Sequence, residues 1–475
     1  MSNQKISIDV KPIQLIFSIF AASIFWMIPI PKGMQPEAWH LLGIFLATIF
    51  SIVSKALPIG GCALLALSGL ALTNTLSIKE ALSGFSYPVI WLVVLAFFVA
   101  KSFIKTGLGI RLAYHFVSLI GKKSLGLSYG MALTDLALSP AIPSNTARAG
   151  GILFPIVKSL AVAFDSQPTD QPSRRKIGAF LIQSLYQCNI ITSAMFITAM
   201  AANPMIIEIA SEMEIEITWG TWALAALVPG LISLLVIPYL LFKIYPPSIK
   251  ETPKAQEIAK DRLKELGKVK WQEWVTLGVF IFMMSFWIAG PHLGIDSTTV
   301  ALAGISILIA AGVLTWNDLI MEKSAWDTMF WFSTLIMMAT YLNKLGMIGW
   351  VSNAVQDRMQ AVDWRIAYPG LVLVFYYIHY LFASNAAHVC SLFSAFCIVG
   401  IVSGVPPMLM TFSLAFCSTL SATLTHYGTA PAPILFGSGY VDLVTWWRLG
   451  AIVSIAHLLI WLVIGPFWWK LIGLW

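Results

Sequence analysis

The segment SPAIPSNTARAGG (139–151) interrupts an apolar stretch that runs from residue 124 to residue 160. A second apolar stretch, residues 366–400, is interrupted in the same way by SNAAH (384–388). Each stretch is long enough either to cross a bilayer twice or to enter it and turn back inside. Backbone at such a turn is tolerated only where protein or a water-filled cavity covers it. We therefore predict two re-entrant hairpins, 124–160 and 366–400, with two ordinary helix pairs as the alternative.

The rest of the composition predicts an all-α polytopic membrane protein. Of 475 residues, 58% are hydrophobic and only 11% are charged, whereas soluble domains have about 25% charged residues. This excludes soluble enzymes and nucleic-acid binders, and the five cysteines are interpreted as buried small hydrophobic residues. About eleven transmembrane helices are predicted near residues 12–30, 39–55, 57–75, 88–104, 177–200, 221–244, 273–290, 298–315, 326–343, 406–424 and 450–467.

Loop charges predict the orientation, because basic loops stay in the cytoplasm. Residues 246–270 carry seven basic residues, and Arg174, Arg175 and Lys176 form another basic cluster. Residues 207–216 carry four glutamates and no lysine or arginine. The N-terminus is then cytoplasmic and the C-terminus outside, and the short polar head without a cleavage site suggests a bacterial inner membrane.

Internal similarity predicts a duplication. FIKTGLG (103–109) resembles YLNKLGM (341–347), the two SN pairs lie 240 residues apart, and TAMAANP (198–204) aligns with THYGTAP (425–431). Five predicted spans separate the SN pairs, so the copies face opposite sides of the membrane. Such inverted repeats with interrupted segments are typical of secondary transporters. The predicted domains are N-terminal scaffold helices (1–59), a first repeat (60–245), a cytoplasmic amphipathic linker (246–272) and a second repeat (273–475).

The interruptions offer donors to an anion. Helix breaks are expected at ANP (202–204) and GTAPAP (428–433), where proline and glycine disturb the backbone. Exposed helix N-termini favour anions, and Ser144, Asn145 and Thr146 could present further donors or simply cap a helix. Arg148 could hold a carboxylate, with snorkelling to the interface as the alternative. Its counterpart His388 could contact a second carboxylate or be structural. Asp135 is the main intramembrane carboxylate, and this scarcity argues against a proton relay.

SNTARAGGILFPI (144–156) and LTHYGTAPAPILFGSGYV (424–441) resemble the divalent anion/sodium symporter family. The resemblance is greatest to the branch of plastid 2-oxoglutarate/malate translocators and bacterial citrate/succinate and tartrate/succinate antiporters. It implies a homodimer in which each protomer has a scaffold and an elevator-type transport domain, with substrate between the paired SNT motifs. The family's second motif usually has threonine at the position of Ala386. The substrate-binding residues that we predict are Ser144, Asn145, Thr146, Arg148, Ser384, Asn385, His388, Thr429, Ala430 and Pro431. Sodium, if coupled, would use Ser144, Asn145, Ala201, Ala202, Asn385 and Thr429.

We therefore expect a carrier that exchanges small organic dianions such as 2-oxoglutarate, malate, succinate or citrate. Sodium-driven uptake of the same anions is the alternative, and an anion channel is a more remote one. No enzymatic motif such as HExxH or GxSxG is present, so we predict no enzyme activity and no cofactor beyond Na⁺ as a possible coupling ion.

Overall fold

The computed structural model describes residues 10–359 and 363–475, and these residues form helices and no β-strand. The first half of the chain contains α1 Pro12–Met27, α2 Pro36–Val53, α3 Ile59–Leu72, α4 Ile78–Ala81, α5 Pro88–Thr106, α6 Leu108–Ile120, α7 Ser124–Leu138, α8 Phe154–Ala163, α9 Gln171–Arg174, α10 Gly178–Met195, α11 Ala202–Ser211 and α12 Trp219–Ile244. The second half contains α13 Pro253–Leu266, α14 Trp271–Leu293, α15 Ser297–Ala310, α16 Trp316–Ile320, α17 Lys323–Lys344, α18 Met347–Met359, α19 Trp364–Ile378, α20 Asn385–His388, α21 Ser394–Val402, α22 Pro407–Leu420, α23 Pro431–Gly437, α24 Leu443–Leu459 and α25 Gly465–Leu471.

The two halves of the chain share one order of helices. Helices α3 and α15 both have 14 residues, α6 and α18 both have 13, and α7 and α19 both have 15. The glycine before α6, Gly107, and its counterpart before α18, Gly346, both have left-handed backbone, with φ of +80° and +88°. Glycine adopts this conformation without the steric cost that other residues meet. The second half therefore repeats the local turn chemistry of the first as well as its helix lengths.

Both stretches with an SN pair fold as helical hairpins, the first formed by α7 and α8 and the second by α19 to α21. A π-helical turn follows each SN pair, at Ala147–Leu153 and at Val389–Phe393. Such widened turns occur frequently at functional sites in helices. The hairpin tips thus have the same irregular backbone in both halves.

Two further helices are broken near the hairpins. After α10 a 3₁₀ turn, Ile197–Ala199, precedes α11, and after α22 a 3₁₀ turn, Ser421–Leu424, precedes α23. The first break lies just before the ANP segment where the sequence predicted it. Pro204 instead occupies the first turn of α11, where proline removes no intrahelical hydrogen bond.

Seven helical segments are long and apolar enough to cross a bilayer, so the chain is a multi-pass membrane protein. They are Pro36–Val53, Pro88–Thr106, Trp219–Ile244, Trp271–Leu293, Asn385–Val402, Pro407–Leu424 and Leu443–Leu471. Five predicted spans are not among these seven. Those near 12–30, 57–75 and 298–315 form shorter apolar helices of 16, 14 and 14 residues, and those near 177–200 and 326–343 form α10 and α17, which have 18 and 22 residues but are less apolar. The segment Asn385–Val402 meets the length criterion although the sequence assigned it to a hairpin.

Charged loops collect at opposite ends of the helix bundle. Loops containing Lys122, Arg175 and Lys250 are hydrogen-bonded to one another, since the Thr252 amide donates to the Lys122 carbonyl and the Ser248 amide donates to the Arg175 carbonyl. We call this the basic end. The glutamates of 207–216 precede α12, whose far end leads to the basic end. With 26 residues, α12 is about 39 Å long and separates the two sets of charges by the thickness of a membrane.

Candidate functional site

The guanidinium of Arg148 is completely buried at the tip of the first hairpin. Its Nε lies 2.9 Å from a carboxylate oxygen of Asp135 on α7. Its Nη1 donates to the carbonyl oxygens of Ile142 and Ala199 at 2.5 and 2.7 Å, and its Nη2 donates to the Ser193 hydroxyl at 2.8 Å. Snorkelling to the interface is therefore excluded.

The other carboxylate oxygen of Asp135 also has partners. It accepts hydrogen bonds from the Asn189 amide at 2.9 Å and from the Thr192 hydroxyl. Both residues belong to α10. A buried ion pair is tolerated when hydrogen bonds satisfy its remaining groups, as they do here. The pair fastens the first hairpin to α10 and to the break after it, through the Ala199 carbonyl. Arg148 is therefore already paired with a carboxylate of the protein, that of Asp135.

Asn145 connects the first hairpin to both helix breaks. Its side chain is 8% exposed, and its Nδ2 donates to the Thr429 hydroxyl at 3.0 Å and approaches the Met200 sulfur at 3.7 Å. The structure thus brings two predicted site residues, Asn145 and Thr429, into direct contact across 284 residues of chain. Of their predicted neighbours, Ala202 and Pro431 are buried, Ala201 is half-buried and Ala430 is exposed.

The two serines of the SN pairs cap helices. The Ser144 hydroxyl accepts a hydrogen bond from the Ala147 amide at 3.1 Å, and the Ser384 hydroxyl accepts one from the Ala387 amide at 3.4 Å. Capping, which the sequence left open as the alternative, is therefore present in both halves. Both serines, and Thr146 and Ala386 beside them, are half-buried rather than enclosed, so a ligand at the tips could still reach them.

In the second hairpin an aromatic cluster replaces the ion pair. The amide of Asn385 donates to the Ser418 carbonyl on α22 at 2.8 Å. The His388 ring is fully buried and stacks on Phe375, with 4.3 Å between ring centroids. Neither ring nitrogen makes a hydrogen bond to the described residues. His388 therefore packs as an aromatic ring in this arrangement and presents no donor to the half-buried tip.

Both hairpins meet the second helix break at Gly428 and Thr429, which we call the 428–429 junction. Asn145 of the first hairpin donates to the Thr429 hydroxyl, and His379, at the end of α19, donates from Nε2 to the Gly428 carbonyl at 2.9 Å. The sequence did not single out His379, because no motif surrounds it. At this junction, groups from both halves of the chain contact adjacent residues, the Thr429 side chain and the Gly428 backbone.

Asn203, like His379, was not singled out from the sequence, although it lies within the ANP segment. It is fully buried, and its amide donates to the Ser193 and Phe196 carbonyls at 2.8 Å each. These carbonyls become free where α10 ends. Its side-chain oxygen also accepts from the Thr419 hydroxyl on α22 at 3.5 Å. Asn203 therefore stabilises the first break and links it to the second broken helix.

No group of three or more His, Cys, Asp or Glu side chains in the described residues could hold a metal ion. Any cation at the hairpin tips would have to be held by neutral oxygens. Carbonyls at the ends of α10 and α22, and the hydroxyl and amide groups beside them, are the neutral groups there.

Several known proteins are similar to this chain over nearly its whole length. Residues 9–475 match the family model described as the sodium:sulfate symporter transmembrane region. The chain is 50% identical to the putative malate transporter YflS of Bacillus subtilis over 98% of both chains. It is 46% identical to the chloroplastic dicarboxylate transporter 1 of Arabidopsis thaliana, over 98% of this chain and 84% of that one. The inner membrane protein YbhI of Escherichia coli is 36% identical over 97% of this chain and 98% of its own length.

The fold has a solved counterpart. The crystal structure of the YdaH transporter of Alcanivorax borkumensis superposes with a TM-score of 0.57 at 13% identity, covering 86% of this chain and 89% of that one. Together with the full-length family match, this confirms the resemblance seen at the SN motifs. The protein is a transporter and not an enzyme, and it belongs to the sodium:sulfate symporter family, the family of divalent anion/sodium symporters.

Proposed function

We propose that the protein carries dicarboxylates and tricarboxylates of the malate, 2-oxoglutarate, succinate and citrate class across a bacterial inner membrane, by exchange. The observation that carries the proposal is the 428–429 junction, where the tips of two hairpins from different halves of the chain meet one helix break. Relatives named as malate and dicarboxylate transporters, at 50% and 46% identity, support the substrate class.

The substrate site lies between the hairpin tips. Asn145, Thr146 and Ser384 are at this position, with Asn385 and the residues 429–431 behind them. Hydroxyl groups, amide groups and helix N-termini together stabilise carboxylates without a full positive charge. Arg148 acts as a positioning residue, because Asp135 and the Ile142 and Ala199 carbonyls occupy its donors. His388 contributes shape through its stack on Phe375.

The repeated order of helices supports an inverted repeat. The first hairpin starts beside Lys123 at the basic end, whereas α18 and α19, which lead into the second hairpin, follow Asn343, whose amide donates to Glu212 at the opposite end. The hairpins thus enter from opposite ends, as re-entrant hairpins of an inverted repeat would. By the positive-inside rule the basic end is cytoplasmic. The N-terminus is then inside and the C-terminus outside.

Alternating access would move one group of elements against the rest. The two hairpins, α10 to α12 and α22 to α25 form the transport domain, and α1 to α5 with α14 to α17 form the scaffold. A homodimer held through scaffolds is part of the proposal, and this part comes from the family resemblance alone.

Sodium-coupled uptake is the second candidate. The neutral oxygens near Asn145, Ala201, Ala202, Asn385 and Thr429 suit Na⁺, which prefers oxygen ligands. A single assay separates the candidates: uptake of labelled malate, 2-oxoglutarate and citrate into proteoliposomes, loaded or empty, with and without Na⁺. Exchange predicts uptake only into loaded vesicles and no effect of Na⁺. Uptake into empty vesicles that requires a Na⁺ gradient would replace exchange by symport, and non-saturable uptake would indicate a channel.

A further inference from the structure

A cavity of about 500 Å³ opens beside the tip of the second hairpin. On one side it is lined by Ala383, Ser384 and Ala387 of the tip, and on the other by residues 10–11 before α1 and 52–59 between α2 and α3. Small-molecule sites typically have volumes of roughly 300–1,000 Å³. The cavity therefore has room for a small organic acid and reaches one of the serines of the proposed site.

Among the residues that the structure describes, the charged side chains that line this cavity are both positive. Lys11 and Lys55 are its two charged lining residues, and both are exposed. Lys11 is held against the loop after α2, because its amide donates to the Ala56 carbonyl at 2.9 Å and its ammonium to the Ser54 carbonyl at 3.3 Å. The carboxylate of Asp327 approaches Gly60, just beyond the lining. Two lysines thus stand in a largely apolar lining that also includes Ser384.

Lys55 has a backbone conformation that favours glycine. Its φ is +54°, in the left-handed region, which costs an ordinary residue about 1–2 kcal/mol. The turn ends α2, with the Lys55 amide donating to the Ile52 carbonyl and the Ala56 amide to the Ser51 carbonyl. Strained positions of this kind concentrate at functional sites. Glycine would fit this backbone without the steric cost, so Lys55→Gly can remove the charge without straining the turn.

The cavity belongs to the basic end of the bundle. Asp327 near Gly60 lies in the first turns of α17, and α16 and α5 join there through the Lys105–Asp318 ion pair at 2.6 Å. The opposite end of α17 reaches Glu212 through Asn343. The cavity therefore connects one face of the membrane, the cytoplasmic face in the proposed orientation, with the tip of the second hairpin.

We propose that Lys11 and Lys55 form an electropositive entry site that captures the organic dianion at the cytoplasmic face and delivers it to Ser384. This inference rests on the proposed function and adds an assignment of sidedness to it. A cleft lined by charge of one sign raises the local concentration of an oppositely charged ligand and its association rate. Such an effect acts at a distance, so salt weakens it: the Debye length falls from about 30 Å at 0.01 M to about 10 Å at 0.1 M.

The test uses Lys55→Gly, which removes the charge and suits the left-handed backbone, so its melting temperature should equal or exceed that of the parent protein. The second variant is Lys11→Gln. Lys260→Gln, on the exposed surface of α13 at the same end, is the control with the same charge change. Malate transport is measured in inside-out and right-side-out vesicles at low and high salt.

Both entry-site variants should raise KM for malate about three- to tenfold in inside-out vesicles at low salt, with kcat unchanged. The increase should shrink at 0.3 M salt and be absent in right-side-out vesicles. An unchanged KM, an equal change from both sides, or the same change in Lys260→Gln would overturn the inference while leaving the carrier function intact. Failure of the parent protein to transport any organic dianion would refute the proposed function itself, and the entry site with it.

A phospholipid phosphate has the same charge chemistry as a carboxylate. Proteoliposomes of phosphatidylcholine alone, compared with proteoliposomes containing phosphatidylglycerol, separate the two ligands. A KM effect that persists in phosphatidylcholine alone supports capture of the substrate. An effect seen only with phosphatidylglycerol would assign the lysines to lipid and overturn the proposal.

Discussion

The two hairpins have the same backbone arrangement but bury different pairs of side chains, an ion pair in the first and two stacked rings in the second. In the first, Asp135 and Arg148 form a buried ion pair 2.9 Å long. The positions 240 residues later hold Phe375 and His388, which stack with 4.3 Å between their rings. Both pairs have the same structural role, because each joins the first arm of a hairpin to the helix that follows its SN pair.

The difference shows how each hairpin is attached to the helices around it. The ion pair also binds Asn189, Thr192 and Ser193 of α10. The aromatic pair packs against Phe382, Phe396 and His379 of its own hairpin, and the His388 ring nitrogens make no hydrogen bond to the described residues. In the first hairpin the ion pair itself therefore makes the directional bonds to the broken helix. In the second hairpin other groups make them: Asn385 and Tyr376 donate to the Ser418 and Leu420 carbonyls, and His379 donates to the Gly428 carbonyl.

Breaking the ion pair should have the largest effect. Asp135→Ala leaves Arg148 buried without a counter-charge, and such changes cost about 3–5 kcal/mol. We expect a strongly lowered melting temperature in detergent and loss of malate transport. The double variant Asp135→Phe with Arg148→His copies the second hairpin and should recover part of the lost stability. A melting temperature of Asp135→Ala equal to that of the parent would contradict the buried pair.

The matched change in the second hairpin should be mild. His388→Phe keeps an aromatic ring on Phe375 and removes two ring nitrogens that make no hydrogen bond. Swaps of similar volume cost less than about 1.5 kcal/mol. Thermal unfolding and KM for malate both check this. A large increase in KM without loss of stability would show that His388 contacts the substrate.

The two asparagine variants should have effects smaller than that of Asp135→Ala and larger than that of His388→Phe. Asn145→Ala removes the contact with Thr429, and Asn385→Ala removes one donor to the Ser418 carbonyl, which keeps the Ser421 hydroxyl at 3.2 Å. Each lost hydrogen bond should cost about 0.5–1.5 kcal/mol. We expect about a tenfold higher KM for malate in each, measured in proteoliposomes. Asn343→Ala, outside the hairpins, serves as the control. An unchanged KM for malate in Asn145→Ala would show that this residue of the first hairpin does not contact the substrate.

The capping serines should show smaller effects. Ser144→Ala and Ser384→Ala each should cost about 0.5–2 kcal/mol, whereas glycine at the same position costs only a few tenths. Because the Ser144 contact is shorter, 3.1 Å against 3.4 Å, its substitution should cost more. Comparing melting temperature with KM in Ser144→Gly separates the two roles: normal stability with impaired binding would mean that the hydroxyl also holds substrate.

The smallest change is expected for Ala386→Thr, which introduces the hydroxyl that the family resemblance implies at this position. It should leave folding unaffected, because Ala386 is half-buried, and change the ratio of malate to citrate transport or the response to Na⁺. Uptake competition with and without Na⁺ measures both. If neither changes, the site lies away from the second SN pair.

Sequence alone could predict the helical class and the positions of the two SN tips, since these depend on apolar runs and on recurring letters. The duplication stays a prediction. The sequence could not predict that Arg148 is enclosed. Asp135 is 13 residues away, and only the fold shows that the tip of the hairpin turns the arginine back towards α7. The link between Asn145 and Thr429 likewise depends on packing between the halves, which no local pattern encodes. The number of transmembrane helices was also hard to predict, because the apolar helices α3 and α15 end at turns before they reach 20 residues.

The central claim is that the tips of both hairpins form one site for an organic dianion. Single cysteines at Thr146 and Ala386, both half-buried, in a variant lacking the five native cysteines, test it most directly by their rate of reaction with a small thiol reagent. We predict that malate slows the labelling of both positions, at concentrations near its KM. Labelling of both positions at the same rate with and without malate, in a variant that still transports it, would contradict the claim.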